Sequence, residues 1–430
     1  MYYIFYEKGY SKIAYFTPNM PECIGKSDSE SINNSILYAK KNGVDTVVIP
    51  SLNERTNENL WIIDKAILLP SDIHIILENS HLRQADGCFD NVFRNENMYS
   101  EGSLTTEKEQ HNIYISGIGN AIIDGGNHNG LTELNSGKDG FPYISCNNMI
   151  LLHNVHSFGI ENITFKDQRW WAINLLYAHG GKLKDITFDA KDNVPNQDGI
   201  DLRAGCHDIL IENVYGQAGD DLIALSGFLG ELEQGLVVND KSSDIFNVTI
   251  RNVKGTSVTK AIVALRNHDG IKLHDITVDG VTDTSADEKG NSPYAVVRIG
   301  QKTYANIRHS LPGETSRIFI NNVHANHGDA ILVNVTLTDS RIDRVCCGKD
   351  ARTIFSTRTD WIGVSPGAYM ENVTIEGIRW DSERSSDLPL IELIKGDYTD
   401  GMKNVSFKKQ MPKDEKLTIY SEYTEGYTVS

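Results

Sequence analysis

Short apolar segments with alternating polar residues recur along most of the chain. A typical segment spans residues 159–165 and reads Gly-Ile-Glu-Asn-Ile-Thr-Phe. β-Branched residues at alternate positions predict a strand with one buried face, and the Asn or Asp inside each segment predicts a bend. Similar segments begin at residues 183, 210, 248, 273, 318, 371 and 403.

The repeated segments follow one another at uneven intervals. Asn162, Asp185 and Asn213 are separated by 23 and 28 residues, and the next step, to Asn252, is 39 residues. Irregular repeats of this length without intervening helices predict a solenoid whose coils stack on one another. We therefore predict an all-β fold, a parallel β-helix. Its repeated asparagines are expected to be bend residues rather than ligands, at positions 162, 213, 252 and 322.

One helix is predicted before the repeats, at about residues 29–42. Asp28 or Ser29 is the expected N-cap, and Gly43 is the stop signal. Ile32 and Ile36 repeat at helical spacing between them. The first coil of a solenoid leaves an open strand edge, which invites aggregation, and this helix is placed to cover it.

The whole chain is predicted to be a single domain, residues 1–430. An N-terminal strand and the capping helix occupy residues 1–50, and the coils run from about 60 to 410. Residues 411–430 are predicted to be a C-terminal tail.

The chain is acidic, with 41 basic and 58 acidic residues and a net charge of −17. Because such a surface repels a phosphate backbone, we expect no nucleic-acid partner. No apolar run approaches the roughly 18 residues that span a bilayer, so no membrane partner is expected. The six cysteines lack CxxC spacing and the N-terminus lacks a secretory pattern, which predicts reduced thiols in a cytoplasmic protein. No Gly-rich phosphate loop or metal-spaced histidine cluster is present, so neither a cofactor nor a metal is predicted.

The densest group of polar residues lies between positions 196 and 225. Asp198 and Asp220 are 22 residues apart, about one coil, and neighbouring strands lie about 4.8 Å apart. Together with Asp221 they crowd three carboxyl groups, and like charges at that range raise at least one pKa. One acid then stays protonated while another is ionised, which glycoside hydrolysis requires. Asp198-Gly199 alone is a turn signal, whereas the adjacent pair Asp220-Asp221 favours catalysis.

These acidic segments resemble a known signature. Asn196-Gln-Asp198-Gly199 followed by Gly219-Asp220-Asp221 is similar to the paired motif of the polygalacturonases, family 28 of the glycoside hydrolases. The resemblance covers about residues 110–300 and implies a right-handed β-helix that hydrolyses glycosidic bonds with inversion. It also implies that Asp220 is the general acid and that Asp198 and Asp221 activate the water.

Candidates for substrate binding are basic and aromatic residues near these segments. Where the family has Gly-His-Gly, this chain has Lys260-Ala-Ile, and the family's Arg-Ile-Lys is Arg298-Ile-Gly here. Arg298 is expected to pair with a sugar carboxylate. Trp170 and Trp171 are strand neighbours, so one is core and the other, assigned as Trp171, is a platform for a sugar ring. The remaining candidates are Arg203, Lys260, Arg266, His268 and Lys302.

The expected substrate is a carbohydrate, pectin-related or uronide-containing, with its sugar and linkage left open. Exo-cleavage of imported oligosaccharides is the leading prediction. A polysaccharide lyase or epimerase on the same fold would need a base and a cation that stabilises an enolate, and Arg203, Lys260 and Arg298 are candidates for that cation. Clustered aspartates that bind Ca²⁺ would belong to that alternative. The other alternative is a β-helix that binds carbohydrate without cleaving it.

Overall fold

The computed structural model describes the chain except for residues 1, 5–12, 101–102, 133–143, 191–194, 231–234, 259, 287–291, 360–365, 385–386 and 397–400. The chain forms two compact units. Unit 1 comprises Met1–Asp192 with Val238–Lys241, and unit 2 comprises Asn193–Val237 with Ser242–Ser430.

The described part of unit 1 contains one α-helix and twelve strands. They are β1 (Tyr2–Ile4), β2 (Ile13–Tyr15), α1 (Asp28–Lys41), β3 (Thr46–Pro50), β4 (Trp61–Ile63), β5 (Ile67–Leu69), β6 (Ile73–Glu78), β7 (His81–Gln84), β8 (Phe93–Asn95), β9 (Gln110–Ile118), β10 (Ile122–Asp124), β11 (Ile150–Lys166) and β12 (Ile173–Asp189). Short 3-10 helices span Thr106–Lys108 and Ile144–Asn147.

Unit 1 is a parallel β-helix with three faces, preceded by the antiparallel pair β1–β2. β3, β6 and β9 form one parallel row, β4, β7 and β10 form a second, and β5 and β8 form a third. The long strand β11 bends through all three rows, because it pairs in turn with β8, β9 and β10. β12 then follows β11 in register, so that Phe165 stacks on Phe188 inside the coil with ring centroids 5.5 Å apart.

α1 covers the strand edge of the first coil, as predicted. Ile32, Ile36 and Ala39 form its buried apolar face. Asn33 Oδ1 accepts a hydrogen bond from Leu68 N (2.9 Å), which satisfies a backbone donor of β5. The helix therefore closes the open edge with both apolar contact and hydrogen bonds.

The N-cap of α1 is Ser27, whose side chain accepts a hydrogen bond from Glu30 N, so the prediction of Asp28 or Ser29 was wrong. Both of those side chains bond to the first coil instead. Asp28 Oδ2 accepts from Ile62 N (2.7 Å) and Ser29 Oγ accepts from Asp64 N (3.0 Å). A tertiary hydrogen bond has replaced the local one that the sequence pattern indicated.

Unit 2 contains sixteen strands in its described residues. They are β13 (Ile200–Leu202), β14 (His207–Ala218), β15 (Ile223–Gly227), β16 (Ile245–Ser257), β17 (Ala261–Asn267), β18 (Leu273–Asp283), β19 (Ala295–Ile299), β20 (Thr315–Ala325), β21 (Asp329–Val333), β22 (Thr336–Cys347), β23 (Thr353–Ser356), β24 (Tyr369–Trp380), β25 (Ile391–Leu393), β26 (Gly401–Lys409), β27 (Ile419–Ser421) and β28 (Tyr427–Val429). A 3-10 helix spans Lys302–Tyr304.

Unit 2 is also a parallel β-helix, in which short and long strands alternate along the chain. The odd-numbered strands β13 to β27 pair in one parallel row, and the even-numbered strands β14 to β28 pair in another. Equivalent residues of the long strands stack in columns through the core. One such column is Ile211, Ile250, Val278, Ile320, Ile342, Ile375 and Phe407. All seven side chains are buried, so this column supplies a continuous apolar core.

The repeated asparagines are bend residues, as predicted. Asn162, Asn213, Asn252 and Asn322 have φ values of 58°, 58°, 54° and 55°. These angles lie in the left-handed region, which asparagine tolerates better than most residues. Within unit 2, Asn252 Nδ2 also donates to Asn213 Oδ1 (2.6 Å), so bends on successive coils are linked.

The last twenty residues carry more structure than the predicted tail. β27 pairs in parallel with β25, and β28 pairs in parallel with β26, so these residues complete a further coil. The six cysteines are free thiols. In the described part of the chain, no helix is long and apolar enough to cross a membrane.

Candidate active site

The three predicted acids meet in unit 2, on the turns that precede β13 and β15. The coil spacing brings them together through backbone hydrogen bonds: Gly199 N donates to Asp221 O (3.0 Å), and Asp220 N donates to Gln197 O (3.2 Å). Asp198, Asp220 and Asp221 each offer a carboxylate oxygen within 4.8 Å of the other two. The one-coil spacing in the sequence therefore did predict a carboxylate cluster.

Asp221 is the anchored member of this cluster. It is fully buried, and its Oδ1 accepts a hydrogen bond from Ala261 N (2.8 Å). Arg298 Nη2 donates to Asp221 Oδ2 (2.9 Å), and Arg266 Nη1 lies 3.3 Å from the same oxygen. Two guanidinium groups and an amide thus compensate a buried negative charge, which identifies Asp221 as the ionised acid.

Asp220 is half-buried and is held mainly by backbone groups. Its Oδ1 accepts from Asp221 N (2.9 Å) and its Oδ2 accepts from Asn196 N (3.2 Å). Burial, followed by the neighbouring negative charge of Asp221, raises the pKa of Asp220 above its ordinary value. The environment therefore favours the protonated form of the one acid in the cluster that is not fully enclosed.

A fourth acid, Asp201, belongs to the same cluster. Burial and the neighbouring aspartates raise the pKa of Asp198 well above its ordinary value. Asp201 is fully buried on β13, and this burial raises its pKa to about 8. Neither carboxylate oxygen of Asp201 has a hydrogen-bond partner among the described residues, which fits a protonated, neutral side chain.

Asp201 and Arg298 occupy equivalent positions in one row of paired strands. The strand register aligns Asp201 with Ala224, Ala224 with Ala264, and Ala264 with Arg298. The residues on either side of this row are apolar and buried, as expected of strands that alternate between two faces. Two small side chains therefore separate the buried acid from the arginine that anchors Asp221.

Aromatic rings flank the arginines of the cluster. The guanidinium carbon of Arg203 lies 4.6 Å from the ring centroid of Phe228, and that of Arg266 lies 5.5 Å from the ring centroid of Tyr304. Phe228 and Tyr304 stack almost in parallel, with centroids 5.3 Å apart. Burial lowers the pKa of Arg203 to about 10, so the group remains a cation at neutral pH. These contacts place the positive charges close to the acids.

The other predicted substrate-binding residues differ in how they are placed. Lys260 is half-buried, and burial lowers its pKa while the charge of Asp220 opposes that shift. Lys302 is buried and donates to Pro366 O (2.9 Å). Trp170 lies in the core of unit 1 and Trp171 is half-buried there, and the role of Trp171 as a sugar platform stays a prediction.

His268 is completely buried, and its Nε2 lies 2.7 Å from Gln301 O. Burial lowers the pKa of His268 to about 4, so the ring is neutral at ordinary pH and donates to that carbonyl. Like Lys302, it supports the loop that contains Gln301. Arg266 contacts the same loop, because its Nη1 donates to Gln301 Oε1 (3.2 Å).

Sequence reasoning missed Asp201, Phe228 and Tyr304. An acid inside the apolar strand Ile-Asp-Leu, flanked by core positions on both sides, was the signal for Asp201. Phe228 and Tyr304 lie outside the repeated segments, and no pattern in the sequence links them to the cluster.

A cavity of about 590 Å³ lies further along the same series of turns in unit 2. Its lining residues precede β19, β21, β23 and β25, and they include Tyr294, Gly328, Arg352 and Arg384. Tyr294 N donates to Lys260 O (2.7 Å), so the wall of the cavity adjoins the coil of Lys260.

Comparisons with known proteins agree with the motif and the fold. Residues 93–234 match the family model of glycosyl hydrolases family 28, a segment that contains Asp198, Asp220 and Asp221. The predicted resemblance to this family is confirmed. A comparison with curated protein sequences gives no match.

Solved structures show the same architecture at low identity. A mutant tailspike protein of E. coli bacteriophage HK620 in complex with a pentasaccharide is 13% identical, with a TM-score of 0.61 over 97% of this chain and 72% of that chain. Endo-xylogalacturonan hydrolase from Aspergillus tubingensis is 14% identical, with a TM-score of 0.54 over 96% and 100%. PfbA, a surface adhesin of Streptococcus pneumoniae, is 14% identical, with a TM-score of 0.52 over 92% and 85%. The predicted fold class, a right-handed parallel β-helix with an N-terminal helix, is confirmed.

Proposed function

We propose that this protein is a glycoside hydrolase whose catalytic groups are Asp198, Asp220 and Asp221. The observation that carries the proposal is the division of charge within the cluster. One acid, Asp221, is held as a carboxylate by Arg298 and Arg266, while Asp220 and Asp198 have raised pKa values. A glycosidase needs such a pair of a proton donor and an ionised carboxylate.

Asp220 is the proposed general acid. Its raised pKa keeps a proton available, and its partial exposure lets that proton reach a glycosidic oxygen. Lys260 beside it is a cation that would interact with an anionic group on the sugar.

Asp198 and Asp221 are the proposed base, as the resemblance implies. The raised pKa of Asp198 makes its ionised form a strong proton acceptor, because proton affinity follows pKa. Asp221 supplies a fixed negative charge beside it. Arg298, proposed from the sequence to bind a sugar carboxylate, is better supported as the group that positions Asp221, since it is 1% exposed.

Inversion at the anomeric carbon is the proposed outcome, in line with the resemblance. The facing carboxylate oxygens lie within 4.8 Å of one another. Proton NMR of the first-formed sugar anomer decides the question, and a retained configuration would refute this part of the proposal.

The proposed substrate is a pectin-related or otherwise uronide-containing glycan. The arginine-lined cavity beside the coil of Lys260 supports a ligand of more than one sugar. A cytoplasmic location is also proposed, and the six free thiols support it because they fit a reducing compartment. Exo-cleavage of imported oligosaccharides belongs to the same proposal.

The test is a panel of neutral and uronide-containing glycans, incubated with the protein and analysed by mass spectrometry. We expect products with a new reducing end from the wild type and none above background from Asp220→Asn. Asp414→Asn is the matched control, because Asp414 is an exposed aspartate outside the cluster. It is expected to cleave at the wild-type rate.

Other products would identify the alternatives. An unsaturated product that absorbs ultraviolet light would indicate a lyase. Binding of a glycan without cleavage by the wild type, unchanged in Asp220→Asn, would indicate a non-catalytic carbohydrate-binding β-helix. Equal cleavage by wild type and Asp220→Asn would remove Asp220 from the mechanism.

A further inference from the structure

Three histidines occupy equivalent positions on three successive coils of unit 1. The strand register aligns His111 of β9 with His156 of β11, and His156 with His179 of β12. Their rings stack, with centroids 5.3 Å apart for His111 and His156 and 5.6 Å apart for His156 and His179. The coil repeat therefore produces a short column of imidazoles at the surface of unit 1.

Glu109 lies beside two members of this column. His179 Nε2 is 2.9 Å from Glu109 Oε1, and His156 Nδ1 is 3.4 Å from Glu109 Oε2. One donor atom from each of these three residues lies within 4.8 Å of the other two. Ligand atoms bound to one tetrahedral zinc ion at about 2.0–2.1 Å are separated by about 3.4 Å, so small side-chain rotations bring all three onto one ion.

His156 contributes a second, independent observation. Its Nδ1 is sealed from solvent and makes no hydrogen bond with any described residue, although the rest of the side chain is 40% exposed. A buried ring nitrogen without a hydrogen bond is unusual, and the Glu109 carboxylate lies 3.4 Å from this one. This nitrogen points toward the carboxylate that would share the ion.

We propose that Glu109, His156 and His179 form a binding site for a divalent first-row transition metal ion, with Zn²⁺ as the best match. Two imidazoles and one carboxylate are a ligand set that such ions use, and their partial exposure leaves a position for water. Each ligand comes from a different coil, so the bound ion links three coils of unit 1. The site is separate from the proposed hydrolysis and does not depend on it.

Lys241 lowers the affinity of this site for a metal ion. Its ammonium group forms an ion pair with Glu109 Oε1 and donates to Asn154 Oδ1 (2.8 Å). The ion therefore takes Glu109 Oε2, and the positive charge of Lys241 opposes binding. Replacing Lys241 with methionine keeps the aliphatic stem and removes the charge, so it should strengthen binding rather than weaken it.

The experiment uses the untagged, metal-free protein with Co²⁺ as a spectroscopic probe and Zn²⁺ for calorimetry. We expect one ion per chain, visible Co²⁺ absorption without a thiolate band, and a thermal midpoint that rises with Zn²⁺ concentration. His156→Ala, His179→Ala and Glu109→Gln should each abolish these three signals. Lys241→Met should tighten Zn²⁺ binding by about 10- to 100-fold, the size of effect that outer-shell groups exert.

His111→Ala is the matched control. His111 stacks on His156 in the same column, but its carboxylate partner is Asp72 rather than Glu109. It should bind Zn²⁺ as the wild type does. The proposal is overturned by the absence of saturable binding in both wild type and Lys241→Met. It is equally overturned by binding that survives in His156→Ala and His179→Ala, or by a Co²⁺ spectrum with a thiolate band, which would place the ion on cysteine.

Discussion

Bend asparagines and clustered aspartates in unit 2 arise from the same coil repeat but behave differently. Asn213 and Asn252 stack on successive coils with φ values of 58° and 54°, and both remain partly accessible to solvent. Asp198 and Asp221 also come from successive coils, yet they are buried and have ordinary backbone angles. Stacking alone therefore makes a structural ladder, whereas burial within such a stack raises the pKa of Asp198.

The difference lies in what compensates each polar side chain. Asn213 and Asn252 bond to each other and remain partly accessible to solvent, so each contributes mainly a local backbone geometry. The buried aspartates depend on Arg298, Arg266 and backbone amides, so removing one partner leaves an uncompensated charge. The predictions below test this contrast.

The largest loss of stability is expected from Arg298→Met. Loss of this guanidinium leaves buried Asp221 with one arginine, and we expect a loss of about 3–5 kcal/mol in the free energy of unfolding. Arg251→Met is the control, since the Arg251 Nε to Glu212 Oε1 pair (2.6 Å) is exposed and should contribute less than about 1 kcal/mol. Urea denaturation measures both. Equal losses would show that burial does not distinguish these ion pairs.

Asp201→Asn should change how stability depends on pH between about pH 4 and pH 8. The pKa of Asp201 is about 8 in the folded protein, so the native state holds a proton that the unfolded chain releases above about pH 4. The free energy of unfolding of the wild type should therefore fall as pH rises from about 4 to about 8. Asparagine removes this titration, and we expect a gain on the order of 2–3 kcal/mol at pH 8, measured by denaturation across pH. An unchanged pH profile would show that Asp201 titrates normally.

His268→Gln should change the free energy of unfolding by a smaller amount, between about pH 6.5 and pH 4. The pKa of His268 is about 4 when folded, so the unfolded chain binds a proton between about pH 6.5 and pH 4 that the native state does not. Wild-type stability should therefore fall as pH decreases through that window. Glutamine keeps a donor for Gln301 O and should flatten this part of the profile by about 1–2 kcal/mol. NMR of the ring protons gives the pKa directly, and a value near 6.5 would contradict the prediction.

The smallest loss of stability is expected from substitutions of a bend asparagine. Asn252→Ala places a residue that disfavours positive φ at a left-handed position and should cost about 1–2 kcal/mol. Asn252→Gly relieves that strain, so it should cost less than alanine although both lose the bond to Asn213. Thermal denaturation compares the two. Alanine and glycine of equal stability would mean that the asparagine column, rather than backbone angle, stabilises the bend.

Much of the fold was predictable because it depends on local pattern. The alternation in segments such as Leu273–Val278 identifies strands, and asparagine at each bend follows from the backbone angle it tolerates. The closeness of Asp198 to Asp220 was predictable for the same reason, since a repeat of known spacing converts sequence distance into spatial distance. The proposed roles of these acids remain predictions.

Partners set by side-chain packing were not predictable. The N-cap of α1 moved to Ser27 because Asp28 and Ser29 bond to the first coil. Arg298 was expected to face a sugar, yet it contacts Asp221, 77 residues earlier in the chain. These hydrogen-bond and ion-pair partners depend on which side chains are buried together in the folded protein. A single sequence does not show this.

The row Asp201, Ala224, Ala264 and Arg298 has an evolutionary consequence. Each member belongs to a different coil. Insertion of a whole coil between two of them would lengthen the row by about 4.8 Å and leave every strand intact. Gain or loss of a repeat would therefore change the separation between the buried acid and the arginine in discrete steps.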